Sequence, residues 1–298
     1  MRFVNPQKLV SKARERGYAV PAFNTNGANY DITRACLEAA QESQAPLILQ
    51  VYEPNCVYRG FPYFVNLARF LCEELEVAVP VAIHLDHGRS FASVMQAIRA
   101  GFTGVMLDAS HKHLEENINE LRRVVQTART LDVAVEGEVG YVKGNEPSRE
   151  KKVGCYAIPE KPELPLTLTR PEEALRFVRE TDVNLLAVSV GTTHGVFQRQ
   201  ENIDFQLLDE LRRILEVPLV LHGTGGVSLE DLARCASGGM AKINFGEPFR
   251  YDYIRYFSDF AQTREHLWHT WRIMRDVKDA LKEDMKQLIA ALGAEGRG

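Results

Sequence analysis

A short apolar segment at residues 79–88 ends in two side chains that could do acid–base or metal chemistry. The segment reads V-P-V-A-I-H-L-D-H-G, with Asp86 and His87 at its polar end. Buried strands do not collect ionisable groups unless those groups have partners. A carboxylate beside an imidazole supplies a proton acceptor and a metal ligand. The structural interpretation is a core histidine followed by an aspartate that caps the next helix.

Two further histidines, His194 and His222, also follow apolar segments, and a glycine comes directly after each of the three. Glycine lets the backbone approach closely. Three imidazoles that converge from separate strands form a zinc site with an open fourth position, and neutral imidazole suits Zn2+ better than Mg2+ or Ca2+. The alternatives are that each histidine only hydrogen-bonds a loop, or that His111 or His113 serves as a ligand instead.

The hydrophobic pattern predicts eight strands that alternate with helices. The predicted strands are 18–24, 46–51, 79–85, 104–108, 133–139, 184–190, 218–222 and 240–245. The predicted helices are 5–16, 28–44, 63–76, 91–100, 114–131, 171–180, 205–215, 229–236 and 265–292. This repeat is typical of an α/β fold of the (β/α)8 TIM barrel type. An open doubly wound sheet would need G-x-G-x-x-G after the first strand, where the sequence has N-T-N-G. We expect a barrel domain at 1–262 and a C-terminal helical extension at 263–298.

Polar side chains stand at the C-terminal tips of these strands, where the active site of a TIM barrel lies. They are Asn24, Asp86, His87, Asp108, Glu136, Glu138, His194, His222 and Asn244. Residues 140–169 carry glycine, proline and mixed charge without periodicity. A loop of that length in a compact domain is usually functional, and we expect a mobile lid.

The composition indicates a soluble protein without a nucleic-acid or membrane partner. Lys plus Arg number 36 and Asp plus Glu 40, which gives a formal net charge of -4. The five cysteines are scattered without a C-x-x-C pair, so neither a disulfide framework nor a thiolate zinc site is supported. We find no cleavable signal, and no apolar stretch reaches the roughly 20 residues of a membrane span. The expected location is the cytoplasm.

Seven motifs, in order along nearly the whole chain, resemble those of one enzyme family. They are Y-A-V-P-A-F-N at 18–24, A-I-H-L-D-H at 82–87, V-M-L-D-A-S-H at 105–111, V-E-G-E-V-G at 135–140, G-T-T-H-G at 191–195, L-V-L-H-G at 219–223 and K-I-N at 242–244. On these residues the sequence is similar to class II, zinc-dependent fructose-bisphosphate and tagatose-bisphosphate aldolases. The tail, with M-R-D-V at 274–277 and E-G-R at 295–297, resembles the tagatose branch.

The resemblance implies a carbon–carbon lyase that reversibly cleaves a ketose bisphosphate into dihydroxyacetone phosphate and an aldehyde. Zinc would stabilise the enediolate as a Lewis acid. The resemblance implies that His87, His194 and His222 bind the catalytic Zn2+, and that Asp86 is the acid/base on the substrate hydroxyl.

The other expected roles follow from the same resemblance. Asp108 and Glu138 match positions that hold a second or displaced divalent ion. Glu146, in the predicted lid, matches the glutamate that moves a proton on the carbon acid. The implied substrate contacts are Asn24, Tyr52, Gly195, Gly223, Gly225, Asn244 and Glu247. The backbone around Gly195 and Gly223 matches a corner that binds phosphate and a monovalent cation, Na+ or K+.

Three positions expected at the phosphate end depart from the family pattern. Gly225 stands in place of a serine, Tyr52 in place of serine or threonine, and F-G-E-P at 245–248 in place of V-A-T-E or V-D-T-D. A lost hydroxyl removes a hydrogen-bond donor, and Glu247 adds a negative charge that a phosphate dianion would oppose. The alternative substrate is therefore a ketose or sugar acid without the phosphate on its first carbon. Arg250 either pairs with Glu247 or grips a substrate carboxylate.

Three rival functions remain at this stage. A Schiff-base aldolase would need a desolvated lysine, and Lys242 lies in the last predicted strand. A zinc hydrolase would use the same metal to activate water, although His84 and His87 give H-x-x-H rather than H-x-H. The third is a non-catalytic metal-binding scaffold.

A small-molecule sugar is the expected ligand, and the resemblance implies a homodimer or homotetramer. The predicted tail helix carries a stripe at helical spacing. Its members are Leu267, Trp271, Met274, Lys278, Leu281, Met285, Leu288 and Leu292. The stripe either packs on the barrel of its own chain or forms a dimer contact.

Overall fold

Eight parallel strands close into a single barrel in the computed structural model. The structure describes residues 3–56, 58–144, 152–153, 156–157, 165–195, 202–263 and 269–298. In chain order the strands are β1 (Val20–Asn24), β2 (Leu47–Tyr52), β3 (Val81–Gly88), β4 (Gly104–Leu107), β5 (Ala134–Val139), β6 (Lys152–Val153), β7 (Tyr156–Ala157), β8 (Leu185–Val188), β9 (Leu219–Leu221) and β10 (Met240–Phe245). All but β6 and β7, which form a separate antiparallel pair, belong to the barrel, and β10 pairs with β1 to close it.

Helices surround the barrel. They are α1 (Pro6–Arg16), α2 (Tyr30–Glu42), α3 (Glu53–Cys56), α4 (Phe61–Glu74), α5 (Phe91–Ala100), α6 (Leu114–Arg129), α7 (Pro171–Thr181), α8 (Phe205–Ile214), α9 (Leu229–Ser237), α10 (Glu247–Thr263) and α11 (Thr270–Ala291). Polar caps begin several of them, because a side-chain oxygen satisfies a free backbone N–H of the first turn. Asn29 caps α2, Ser90 caps α5 and Ser228 caps α9 in this way.

The predicted TIM barrel is confirmed, since a ring of eight parallel strands alternates with helices. The predicted bounds of α5 and β10 agree with the structure, and the other barrel elements agree to within a few residues. Every residue of β1, β3, β5 and β10 is buried. Strands covered on both faces read as apolar runs, so the polar groups among them stand out as parts of a site.

The end of β3 departs from regular strand geometry. The pairing between β3 and β4 shifts register between Leu85 and Gly88. His87 has a φ of 47°, a left-handed conformation that non-glycine residues rarely adopt. Gly88 is required next to it, because a Cβ atom there would lie 2.4 Å from the carbonyl oxygen of Met106. The backbone is thus turned at the point where the strand carries its polar residues.

Most of the predicted lid at 140–169 lies outside the described residues. At its base Tyr141 and Thr167 exchange two backbone hydrogen bonds, of 2.8 and 3.1 Å. The backbone N–H of His194 donates to the carbonyl of Lys143 at 2.7 Å. The start of the segment is therefore tied to the loop that carries His194.

Helix α11 packs against α2, on the outside of the barrel. Its buried face consists of Ile273, Val277, Lys278, Leu281, Met285 and Ile289. The predicted stripe is correct in its second half, but Trp271 is 57% exposed, and Leu267 lies outside the described residues. Lys278 is buried because it forms ion pairs with Glu38 and Asp279. The domain boundary at residue 263 stays a prediction.

In the described part of the chain, every helix is too short or too polar to cross a lipid bilayer.

Candidate active site

Three histidines meet at the C-terminal rim of the barrel. His87 is the last residue but one of β3, His222 follows β9, and His194 lies in the loop after β8. Their ring centroids are 4.8 Å apart for His87 and His222 and 5.1 Å apart for His87 and His194. Predicted from three separate segments of sequence, these residues are neighbours in the structure.

One nitrogen of each imidazole faces the other two rings. Nδ1 of His222 lies 3.0 Å from Nε2 of His87. Nε2 of His194 is buried, and no described group hydrogen-bonds it. One nitrogen from each ring lies within 4.8 Å of the others. A tetrahedral zinc ion with Zn–N bonds of about 2.05 Å separates its nitrogen ligands by roughly 3.3 Å. The three rings therefore fit a zinc ion, and their all-nitrogen donor set suits that metal.

The other nitrogen of each imidazole contacts a carboxylate. His87 Nδ1 donates to Asp108 Oδ2 at 2.9 Å, and His222 Nε2 donates to Glu136 Oε1 at 2.8 Å. His194 Nδ1 donates to Glu247 Oε1 at 3.2 Å. A carboxylate behind a metal-binding histidine fixes the protonated nitrogen and the ring orientation. All three rings are held with the opposite nitrogen turned inward.

Asp86 lies next to this cluster, with two amide groups around it. Asn24 Nδ2 donates to Asp86 Oδ2 at 3.0 Å, and Asn244 Nδ2 donates to Asp86 Oδ1 at 3.2 Å. Both amides come from neighbouring strands, since β1 pairs with β10. Asp86 is 7% exposed, so its carboxylate is largely buried, and the two amides fix its orientation. The arrangement can present a proton acceptor beside a metal.

Glu138 supplies a second acidic group at the rim. Its Oε1 accepts from the backbone N–H of Val142 at 3.3 Å, and its Oε2 lies 3.8 Å from His222 Nδ1. Oε2 is buried, and no described group hydrogen-bonds it. Together with His87 and Asp108, Glu138 forms a second group whose atoms are close enough to share one ion. The arrangement fits the expectation of a second divalent position.

A fully buried ionic group lies below the histidines. Lys242 Nζ donates to Glu136 Oε2 at 2.8 Å, and His84 Nε2 lies 3.4 Å from the same oxygen. Burial would raise the pKa of Glu136, but the charge of Lys242 and the hydrogen bond from His222 lower it below its usual value. Burial, together with the charge of Lys242, lowers the pKa of His84 to about 3. His84 is thus neutral at physiological pH.

The carboxylate of Glu247 lies at the rim beside His194. Burial would raise the pKa of Glu247, but the hydrogen bond and charge of His194, a backbone N–H and the charge of Arg250 lower it to about 2. The charge of Arg250 thus acts on Glu247, and whether Arg250 pairs with Glu247 or grips a substrate carboxylate stays a prediction. A negative charge stands at this side of the site.

Tyr52 lies against His87. The two rings meet edge to face with centroids 5.9 Å apart. Arg89 Nη2 donates to the Tyr52 hydroxyl at 2.7 Å, and the Arg89 backbone N–H donates to Glu53 Oε2 at 2.7 Å. Arg89 follows His87 by two residues and was not among the predicted site residues. Its contact partner could not be read from the sequence alone.

The glycine-rich turns bring two loops into close contact. Gly223 has a φ of 69°, and a Cβ atom there would lie 2.7 Å from the backbone of Thr193. Gly195 has a φ of 146° and Gly225 is buried. Thr192 Oγ1 donates to the carbonyl of His222 at 2.7 Å. These contacts hold the His194 loop against the end of β9.

The structure brings together most of the predicted site residues. Those that meet around the three histidines are Asn24, Tyr52, Asp86, Asp108, Glu138, Gly195, Gly223, Asn244 and Glu247. Glu146 lies outside the described residues. Neither His111 nor His113 belongs to a metal-binding group of the described residues. The sequence analysis placed Glu136 at a strand tip and gave it no role. A pattern that could have indicated one is a carboxylate on a buried strand together with a lysine, Lys242, on another buried strand.

The chain is similar to known proteins along nearly its whole length. The family model described as fructose-bisphosphate aldolase class-II matches residues 4–297. The chain is 34% identical over 298 residues to a fructose-bisphosphate aldolase of Staphylococcus aureus, covering 100% of this chain and 99% of that protein. It is 34% identical over 298 residues to the 6-phospho-5-dehydro-2-deoxy-D-gluconate aldolase of Bacillus licheniformis, covering 100% of this chain and 97% of the relative. The crystal structure of the YdjI aldolase from Escherichia coli K12 matches with a TM-score of 0.82 and 27% identity, covering 100% of this chain and 99% of that chain.

Proposed function

Since the chain belongs to the class II fructose-bisphosphate aldolase family and is therefore a carbon–carbon lyase, we propose that it is a zinc-dependent aldolase of a ketose bisphosphate or ketose phosphate. The fructose-bisphosphate or tagatose-bisphosphate type of substrate would yield dihydroxyacetone phosphate and an aldehyde. The observation that carries the proposal is the convergence of three imidazole nitrogens within 4.8 Å of one another, beside the amide-held carboxylate of Asp86.

The chain would hold its metal with His87, His194 and His222. When bound, the ion supplies Lewis-acid stabilisation of negative charge on the ketose oxygens. Asp108, Glu136 and Glu247 keep the inward nitrogen of each ring free of its proton, because each accepts the N–H on the other side of the ring. Glu138 and Asp108 are the proposed ligands of a second divalent ion.

Asp86 is the proposed acid/base. In cleavage its carboxylate takes the proton of the hydroxyl at the bond to be broken, and in condensation it returns that proton. The amides of Asn24 and Asn244 aim both oxygens of Asp86. We propose that Asn244 and Asn24 also contact substrate, and that Glu146 moves the proton on carbon. The Gly195 and Gly223 turns are the proposed corner for phosphate and a monovalent cation.

Lys242 does not serve as a Schiff-base nucleophile in this proposal. Its ammonium is fully buried and donates to Glu136 at 2.8 Å, whereas covalent catalysis needs a neutral amine that substrate can reach. We therefore expect activity to disappear on chelation and to survive treatment with borohydride in the presence of substrate.

A second candidate substrate is a ketose or sugar acid without the phosphate on its first carbon. The specific observation in its favour is the Glu247 carboxylate, 3.2 Å from His194, at the side where the family resemblance puts a phosphate. Gly225 and Tyr52 also depart from the family pattern. A relative is named for a phosphorylated sugar acid, which is consistent with variation of substrate among similar chains.

The deciding experiment combines metal analysis with a substrate screen. Purified protein is assayed for bound metal and for cleavage of fructose bisphosphate, tagatose bisphosphate, their monophosphates and free ketose acids. Normal aldolase rates with a bisphosphate would support the first candidate and exclude the second. Absence of cleavage with every substrate in a zinc-loaded protein would refute the proposal. Light scattering of the same preparation tests the proposed homodimer or homotetramer, and fractionation of cells that produce the protein tests the proposed cytoplasmic location.

A further inference from the structure

A buried carboxylate stands between His222 and a lysine, one level below the rim. Glu136 Oε1 accepts from His222 Nε2 at 2.8 Å, and Glu136 Oε2 accepts from Lys242 Nζ at 2.8 Å. All three side chains are 0% exposed. They come from β5, β10 and the end of β9, so three separate strands position them.

Stability alone does not explain this pair. Moving two charges out of water costs several kcal/mol per ion, and well-packed apolar residues are often at least as stabilising as a buried ion pair. A charged pair at this depth therefore points to a role in the site above it.

The geometry determines which nitrogen of His222 carries the proton. An unprotonated Nε2 would place its lone pair 2.8 Å from the Glu136 carboxylate, where the two electron-rich atoms repel each other. The amide nitrogen of Asn244 also lies 3.1 Å from Nε2, but the carboxylate is closer and carries a negative charge. Nε2 is therefore assigned as the N–H nitrogen, and the lone pair of Nδ1 then points toward His87 Nε2, 3.0 Å away. Glu136 thus selects the tautomer in which His222 can bind a metal.

Lys242 fixes the other end of the Glu136 carboxylate. Its ammonium donates a hydrogen bond to Oε2 of Glu136, so the carboxylate is not free to rotate and turn Oε2 toward the histidines. Accordingly, Glu136 belongs to neither of the metal-binding groups found among the described residues, although it touches a histidine of one of them. The lysine anchors the carboxylate and balances its charge.

We propose that Glu136 and Lys242 are positioning residues that set the affinity of the site for its metal through His222. The inference rests on the proposed zinc site and goes beyond it, because it assigns metal affinity to two residues that touch neither the metal nor the substrate. Carboxylates behind metal-binding histidines typically change metal affinity by about 10- to 100-fold when removed.

The first test is the double variant Glu136→Leu/Lys242→Met, which removes the acceptor of the His222 N–H together with both charges and leaves neither ion unpaired. We expect near-normal thermal stability of the metal-free protein and a zinc dissociation constant about 10- to 100-fold larger, measured by competition with a chromogenic chelator. The matched control is Asp31→Asn, which removes a buried carboxylate of α2 that accepts from Tyr253. Its zinc affinity should equal that of the unmodified protein.

A second variant, Glu136→Asp, retains the charge but retracts the carboxylate from His222. It should weaken zinc binding as the double variant does, and it decides the matter if the double variant does not fold. Zinc affinity equal to that of the unmodified protein in either folded variant would overturn the inference. Failure of the proposed zinc site gives a different result. The unmodified protein would then bind no zinc, or it would bind zinc with an affinity that His194→Ala does not change.

Discussion

The carboxylate of Asp86 and the imidazole of His87 face the same site although the two residues are consecutive in a strand. Asp86 Oδ1 lies 3.9 Å from His87 Nε2. Successive side chains of a regular strand point to opposite faces. The left-handed φ of 47° at His87 and the register shift between Leu85 and Gly88 turn the second side chain inward. Backbone strain of this kind is found at functional sites, and here it brings the proposed base next to a proposed metal ligand.

Replacement of Asp86 by alanine should separate proton transfer from metal binding. We expect kcat to fall by about 10²- to 10⁴-fold, the usual contribution of a general acid/base, with zinc content unchanged because the three histidines are intact. Steady-state kinetics and metal analysis on the same preparation measure both. Asp209→Ala, which changes an exposed residue of α8, is the control. A variant at Asp86 with full turnover would refute its assigned role.

Loss of one imidazole should empty the site. In His194→Ala the zinc content should fall well below one equivalent, and cleavage should fall with it, since two nitrogens bind zinc more weakly than three. His113→Ala is the matched control, because His113 is an exposed residue at the start of α6 and belongs to neither metal-binding group of the described chain. In the unmodified protein, chelation should abolish activity and added Zn2+ should restore it. Equal zinc content in the two variants would contradict the assignment.

Glu247 offers a test of the substrate. In Glu247→Gln the KM for a ketose bisphosphate should fall about fivefold, because like unit charges about 4 Å apart in water repel each other by about 1 kcal/mol. The KM for an uncharged ketose should move much less. Glu210→Gln, on an exposed face of α8, controls for the change in net charge. Equal effects on charged and uncharged substrates would show that Glu247 acts only through His194.

The sequence predicts the barrel well because its strands are apolar runs and its polar residues gather at their ends. The alternation of strand and helix needs no knowledge of distant contacts, so α5 and β10 were predicted with their observed bounds. The partner of Glu136 was not predictable in the same way. Its contacts to His222 and Lys242 join residues 86 and 106 positions apart, and only the closure of the barrel brings them together.

Two local features also escaped prediction for physical reasons. The period of two along a strand assigns Asp86 and His87 to opposite faces, and no residue pattern signals the turn at His87. In α11 the predicted stripe included Trp271, which is apolar but exposed, whereas Lys278, which the stripe also included, is charged but buried by ion pairing. The chemical type of a side chain does not by itself show that an apolar residue such as Trp271 is exposed or that a charged residue such as Lys278 is buried.

Helix α11 should contribute strongly to the stability of the barrel. Leu281 is 0% exposed on the face that packs toward α2, and truncation of a buried leucine to alanine typically costs about 2 to 5 kcal/mol. Leu281→Ala should lower the free energy of unfolding by that amount in urea titrations. The control Leu131→Ala, at a residue that is 57% exposed, should stay within about 0.5 kcal/mol. Equal effects of the two changes would indicate that α11 is only loosely attached.

Helix α10 is fixed to α2 by a hydrogen bond from Tyr253 to Asp31. The phenol donates to Asp31 Oδ2 at 2.9 Å, and Asp31 is 6% exposed. Tyr253→Phe leaves a buried carboxylate oxygen without this donor, so we expect a loss of about 1 to 3 kcal/mol in the free energy of unfolding at pH 7. Tyr58→Phe, at a residue that is 67% exposed, is the matched control and should have little effect.

The same variant has a characteristic pH dependence. Burial, together with the charge of Asp31, raises the pKa of Tyr253 to about 12, whereas a phenol in the unfolded chain ionises near pH 10. Between these values the folded protein binds more protons than the unfolded chain, so stability from this group is fully present below about pH 10 and is lost as the pH rises toward 12. The stability difference between the unmodified protein and Tyr253→Phe should therefore narrow above pH 10. A difference that stays constant from pH 7 to 11 would mean that Tyr253 does not hold its proton against Asp31.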